Sequence, residues 1–269
     1  MNFLYGIPAV VLLAGALIVA LVAAGSGQIY VHRRFRTRDF IAHNEVGGII
    51  IAVSGTLYAV ILGFLTVVVW QHFVEAGQMV VQESDAVVDV WHTSVGLSPP
   101  VRERIRDDMT RYAQEMIDGE WPSMKHGDFD SSVALLDMDA IDAAGMFVPS
   151  NLGESNAQVA TLQQLNAIHD ARQQRIAINA EGVPWFEWLV LLIGATCIIC
   201  FCWLFELRNA RIQLLMTSTV VTIIVSILVL LFELQYPFRS DVGIGPDNWI
   251  GAVEHIHQMQ TGTLMNMRH

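Results

Sequence analysis

Two stretches of the 269-residue chain group side chains that can bind metal ions. The first is a run of carboxylates, the oxygen ligands that hard cations prefer. It lacks the glycine turn and terminal glutamate of a calcium loop, so we interpret it as a solvated acidic loop. Its members are Asp128, Asp130, Asp137, Asp139 and Asp142. The second, His255-Ile-His257, has transition-metal ligands, but we expect a loose C-terminal tail there. We therefore predict no metal and no cofactor.

The cysteines form a Cys-x-x-Cys pattern that resembles a redox motif. Cys197, Cys200 and Cys202 all lie in one apolar stretch, however, and redox chemistry needs polar access. We interpret them as lipid-facing or packing residues. The sequence contains no phosphate-binding glycine loop, no Gly-x-Ser-x-Gly elbow and no His-Glu-x-x-His motif. We predict that the protein is not an enzyme.

The most specific pattern lies in Gly47–Trp70, a run of 24 residues without a charge. Thr56, Val60 and Phe64 recur at a spacing of four, which places them on one helical face. We predict that this row is the neck of a pore, because a ring of apolar side chains can gate by dewetting. The alternative is a membrane helix that only packs. An adjacent small-residue row suits helix packing in lipid. It consists of Gly48, Ala52, Gly55, Ala59 and Gly63.

Four apolar stretches are long enough to cross a bilayer as helices. The chain is 53% hydrophobic and only 15% charged, with a mean hydropathy of +0.45, which excludes an ordinary soluble domain. The predicted spans are Leu4–Ala24, Gly47–Trp70, Trp185–Phe205 and Leu214–Phe232. The first span has no basic residue before it, so we interpret it as an uncleaved anchor.

Residues 71–184 form the one sizeable extramembrane block. Gln71–Val95 continues the second span without a breaker, and valines at 74, 81, 88 and 95 suggest a coiled-coil-like seam. We predict further helices over Val101–Ile117 and Ser155–Ala180, with loop between them. The prediction is an all-α membrane protein with four transmembrane helices and a helical bundle inserted between the second and third. Its regions are 1–70, 71–184, 185–234 and a tail, 235–269.

Charge placement predicts the orientation. Arg33, Arg34, Arg36 and Arg38 follow the first span, and Arg208 and Arg211 lie between the third and fourth. The positive-inside rule places both links in the cytoplasm and the helical block on the outer side of a bacterial inner membrane. The net charge is −11, which argues against a nucleic-acid partner. The expected partners are membrane lipids, inorganic ions and further copies of the chain.

Several segments together resemble the bacterial bestrophin-like family, which is distantly similar to bestrophin channels. The similar segments are Tyr58–Phe64, Trp70, Phe73, Glu75-Ala76, Glu83, Glu120–Pro122, Tyr236–Arg239, Gly243 and Pro246. The resemblance implies a homopentamer that conducts mainly anions such as chloride, with the neck at Thr56, Val60 and Phe64. Three features depart from the bestrophin pattern. Thr56 is polar, and Trp70, Gln71, His72 and Phe73 stand where bestrophins have a basic and double-tryptophan cluster below the neck. The predicted orientation is also opposite to that of bestrophins, in which the helical domain is cytosolic.

We expect a second group of residues at the mouth or vestibule of this pore. It consists of Trp70, Glu75, Tyr236, Pro237, Phe238 and Arg239. For Tyr236–Arg239 the alternative is interfacial anchoring with turn chemistry. Two other functions stay open. One is a cation channel with an acidic vestibule, and the other is a non-conducting scaffold or sensor whose bundle binds a partner.

Overall fold

A computed structural model describes residues 2–34, 44–205 and 209–262. The described residues are mostly helical and include no β-strand. After a short 3-10 turn at Asn2–Gly6, α1 begins at Ala9. The helices are α1 (Ala9–Arg34), α2 (Asn44–Thr93), α3 (Pro99–Glu115), α4 (Trp121–Lys125), α5 (Ser131–Gly145), α6 (Leu152–Ala180), α7 (Trp185–Leu204), α8 (Ala210–Leu234) and α9 (Asp247–Gln260). Arg36, Arg38 and Arg208, which contribute to the predicted orientation, lie outside the described residues.

Four of these helices are long and apolar enough to cross a membrane, as the sequence predicts: α1, α2, α7 and α8. In the single chain few of their side chains are buried, which is the expected distribution for helices surrounded by lipid or by other subunits. α1 packs mainly against α8, and α2 contacts both α7 and α8. Leu62 and Val69 on α2 lie buried against Leu191 and Leu231.

The second helix runs unbroken for 50 residues, from the membrane segment into the helical block. Its inner side in the block buries Ala76, Val80, Val87 and Val90 in a core that also contains residues of α3, α4, α5, α6 and α9. The predicted valine seam is wrong for the single chain. Val74, Val81 and Val95 are exposed, because the buried face is centred about a third of a turn away.

The expected loop over 119–151 is wrong, because most of it is helical. A π-helical turn covers Met116–Glu120, and α4 and α5 follow. The Asp130 side chain caps α5 by accepting a hydrogen bond from Ser132 N. Val133, Ala140 and Ala144 then form its buried face. The many aspartates obscured an apolar spacing that is typical of a helix.

The expectation of a loose C-terminal tail at His255-Ile-His257 is also wrong. Residues 247–260 form α9, which packs against α2 and α3. Trp249 is fully buried, and the centroid of its ring lies 5.8 Å from that of the Tyr112 ring. Ala252 and Ile256 continue the same buried face at helical spacing. The core of the helical block therefore includes residues that precede α7 in the sequence and residues that follow α8.

Candidate functional site

The predicted neck row lies on the exposed side of α2. Val60 is 49% exposed and Phe64 is 71% exposed, whereas Leu62, on the opposite side of the helix, is buried. The Thr56 hydroxyl donates a hydrogen bond to the carbonyl oxygen of Ala52, at 2.7 Å, and so places no unsatisfied donor on this face. The helix is thus oriented with this row directed away from α7 and α8.

The small-residue row is also unfilled within the chain. A Cβ atom added at Gly48, Gly55 or Gly63 would meet no atom within 4 Å. Gly55, Ala59 and Gly63 border a groove of about 460 Å³ between α2 and α8. Gly194 contrasts with them, since an added Cβ would lie 2.5 Å from the Tyr58 ring. Close packing against Gly55, Ala59 and Gly63 therefore requires a partner outside the single chain, either another subunit or lipid.

The same face of α2 continues beyond the membrane segment as a stripe of exposed amides and carboxylates. The spacing alternates between four and three residues, which keeps the stripe in line with the neck row. Its members are Gln71, Glu75, Gln78, Gln82, Asp85 and Asp89. Sequence reasoning identified Glu75 but missed the rest. The other members could have been recognised from polar residues that recur every three or four positions. The valines that recur every seven residues in the same segment obscured this pattern.

The residues expected at the mouth do not lie together. Glu75 is on the exposed stripe, while Trp70 lies about a quarter-turn from it and stacks on Phe73, with ring centroids 5.9 Å apart. The segment Tyr236–Arg239 follows α8 and packs into the junction between the membrane helices and the helical block. Pro237 and Phe238 are buried.

Contacts in this junction are specific. The Arg239 guanidinium lies 3.9 Å from the centroid of the Tyr236 ring, and its Nη2 donates to the carbonyl oxygen of Asn179 at 2.9 Å. The Phe238 ring meets Trp121 edge to face at 5.5 Å. An added Cβ at Gly182 would lie 2.4 Å from Tyr236, so the chain between α6 and α7 needs a glycine there. These contacts favour the structural alternative for Tyr236–Arg239.

A buried ionic cluster joins α2, the π-helical turn and α6. Arg175 is fully buried between two carboxylates: its Nε lies 2.7 Å from Glu83, and its Nη2 lies 3.1 Å from Glu120. Arg172 also donates to Glu120, at 3.0 Å. The Tyr112 hydroxyl donates to Glu83 at 2.6 Å. Two carboxylates thus face two guanidinium groups, and the cluster has no net charge.

Burial and neighbouring charges shift pKa values in this cluster. Burial alone lowers the pKa of Arg175, but Glu83 and Glu120 outweigh burial and hold it above its usual range. Burial, and then the Glu83 charge, raise the pKa of Tyr112. Both groups therefore keep their protons throughout the physiological range.

One member of the predicted acidic loop is buried beside this cluster. Asp137 lies on α5, and its Oδ2 is 2.7 Å from Nδ1 of His169 on α6. Burial raises the pKa of Asp137, and the contact with His169 opposes that rise. Asp137 therefore links α5 to α6, and the interpretation of the acidic run as a solvated loop is wrong for this member.

Comparisons with known proteins agree with this architecture. The model of the bestrophin-like domain matches residues 19–249. The chain belongs to the bestrophin-like family. Two crystal structures of variants of a bacterial bestrophin homologue from Klebsiella pneumoniae share its fold, each with 14% sequence identity. One has a TM-score of 0.68 and covers 91% of this chain and 98% of its own; the other has 0.67, 89% and 98%.

A third structure, described only as a membrane protein, has a TM-score of 0.69 at 13% identity and covers 90% of this chain and 98% of its own. No curated protein matches the sequence. The predicted family and the predicted all-α membrane fold are confirmed. Together with the four apolar helices, they show that this is a multi-pass membrane protein of the bestrophin-like family.

Proposed function

We propose that this protein forms a homo-oligomeric ion channel, a pentamer by resemblance, whose pore is lined by the exposed face of α2. The observation that carries the proposal is the continuity of that face. Thr56, Val60 and Phe64 lie on it in the membrane segment, and the amide and carboxylate stripe continues it beyond Trp70. The helix thus presents an apolar row inside the membrane and a polar row outside it on one face, as a neck followed by a vestibule requires.

The two parts of this face suit different tasks in a channel. Val60 and Phe64 present apolar surface, which disfavours water in a narrow ring and so can close the path. The stripe beyond them presents groups that replace part of an ion's hydration shell. In this arrangement the neck is the barrier, and the helical block encloses the vestibule.

The charge of the stripe bears on which ion passes. The family resemblance implies anion conduction. Glu75, Asp85 and Asp89 favour cations instead, since residues 71–95 contain no lysine or arginine. We therefore put forward a cation channel as the second candidate, on this observation alone.

Reconstitution tests both candidates. We expect the purified protein to have the mass of an oligomer in detergent and to carry current in liposomes. Under a KCl gradient the sign of the reversal potential distinguishes the two ions. If the stripe selects cations, Glu75→Gln should shift that potential toward the chloride equilibrium value. Glu103→Gln, an exposed carboxylate on α3, is the matched control.

The scaffold alternative predicts different results. Flux equal to that of empty liposomes, under the KCl gradient and at several voltages, would remove the channel proposal. A wild-type reversal potential near the chloride equilibrium value would leave the channel but remove the cation candidate, and an unchanged potential in Glu75→Gln would show that Glu75 does not set the selectivity.

A further inference from the structure

Two histidines from distant parts of the sequence meet at the far end of the helical block. His92 lies in the last turn of α2, and His255 lies on α9. Their ring centroids are 6.4 Å apart, with the ring planes inclined by 68°. His92 is exposed and His255 is partly exposed, so both rings are accessible from solvent. Within the described parts of the chain, neither ring makes a hydrogen bond.

We propose that His92 and His255 form a binding site for a divalent transition-metal ion of the zinc, nickel and copper class. Imidazole nitrogen is a preferred ligand of these metals. An ion held about 2.0–2.1 Å from one nitrogen of each ring keeps the two centroids roughly 5–6 Å apart. The observed separation exceeds that range slightly, and a small rotation of two accessible side chains closes the difference.

The backbone supports the site because both rings project from helices that are already packed together. Trp249, Ala252 and Ile256 are buried and fix α9 against the block. His255 lies at the edge of that buried face, next to α2. His257, two residues further along, is exposed and lies on the other side of that buried face, away from His255. The structure thus separates the two histidines of the His-x-His motif and pairs one of them with His92.

The site is an open one. In the described residues no three histidine, cysteine, aspartate or glutamate side chains lie close enough to hold a metal together. Water would complete the coordination, as in exchangeable rather than structural sites. A bound ion would tie α9 to the end of α2, about 33 Å along the helix from Trp70.

Metal titration of the untagged full-length protein in detergent tests this proposal. Isothermal calorimetry with Zn²⁺, Ni²⁺ and Cu²⁺ should show one site per chain, tightest for Cu²⁺. His92→Ala and His255→Ala should each weaken binding about tenfold or more, a loss of roughly 1.4 kcal/mol. His257→Ala is the matched control and should bind like the wild type.

Each variant must keep the oligomer mass and helix content of the wild type, so that a loss of binding is not a loss of fold. No binding up to about 1 mM metal would overturn the proposal, because two ligands would then contribute less than about 4.1 kcal/mol. Undiminished binding in His92→Ala and His255→Ala would overturn it equally. The site depends on contacts within one chain, so its failure would leave the channel proposal untouched.

Discussion

Phe64 presents the largest side chain of the exposed row on α2, with 71% of its surface uncovered in the single chain. If the row lines a pore, its ring is the main obstacle to water. Phe64→Ala widens the neck and removes apolar surface, so we expect higher ion flux in liposomes than for the wild type. The mass of the oligomer should stay the same.

A control is available on another membrane helix. Ile193→Ala removes an exposed apolar side chain from α7, outside the row on α2, and it should change flux less. Flux that is equal in the wild type and Phe64→Ala would indicate that Phe64 faces lipid or another subunit.

Arg175 is the buried residue on which the helical block depends most. It pairs with Glu83 and Glu120, and all three side chains are completely buried. Arg175→Ala leaves two carboxylates with one guanidinium, and an uncompensated buried charge costs about 3–5 kcal/mol. We expect a large fall in the thermal midpoint in detergent.

Arg104→Ala is the comparison for that measurement. The Arg104 side chain is 62% exposed and reaches Asp108 only at 4.0 Å, so the stability should change by less than about 0.5 kcal/mol. Equal midpoints for the two variants would show that the buried cluster contributes little to the fold.

Residues of this cluster were visible in the sequence, but their pairing was not. Glu83 and Glu120 belong to segments that resemble the bestrophin-like family. Glu83 and Arg175 are 92 positions apart, however, and no local spacing connects them. Only the packing of α2, the π-helical turn and α6 brings their charges together.

At the scale of elements, the small-residue side of α2 has room for a neighbouring helix. Gly63→Leu meets no atom of its own chain within 4 Å of the new Cβ, and leucine favours a helix over glycine by up to about 1 kcal/mol. The chain should therefore fold. If α2 of another subunit packs against this side, the added side chain should break the oligomer, and native mass spectrometry should show smaller species.

Gly15→Leu on α1 is a suitable control, because an added Cβ at Gly15 also meets nothing within 4 Å. It should leave the oligomer intact. An unchanged mass for Gly63→Leu would indicate that the groove between α2 and α8 is filled by lipid.

The elements themselves were predicted unevenly. The four spans and α6 were evident, because long apolar runs and periodic apolar faces dominate their sequences. α5 and α9 were missed because each is short and carries several polar residues. Their buried faces, such as Val133, Ala140 and Ala144, are recognisable only when the core that covers them is known.

At the scale of the whole molecule, the charges are divided unequally between the two ends of the spans. The extramembrane block, residues 71–184, carries 7 basic and 18 acidic residues. The links on the other end of the spans carry six arginines, at positions 33, 34, 36, 38, 208 and 211. The positive-inside rule favours a cytoplasmic position for those links. The bestrophin resemblance implies the reverse, with the helical block in the cytosol.

Two single cysteines can decide between these orientations once Cys197, Cys200 and Cys202 have been replaced. Ser131 is an exposed residue at the start of α5, and Ala210 is an exposed residue at the opposite end of the spans, at the start of α8. From the arginine distribution we expect Ser131→Cys to react with a membrane-impermeant thiol reagent in intact spheroplasts. Ala210→Cys should react only after lysis, because its end of α8 would face the cytoplasm. The opposite pattern would place the acidic stripe of α2 on the cytoplasmic side, and the charge rule would then have failed for this protein.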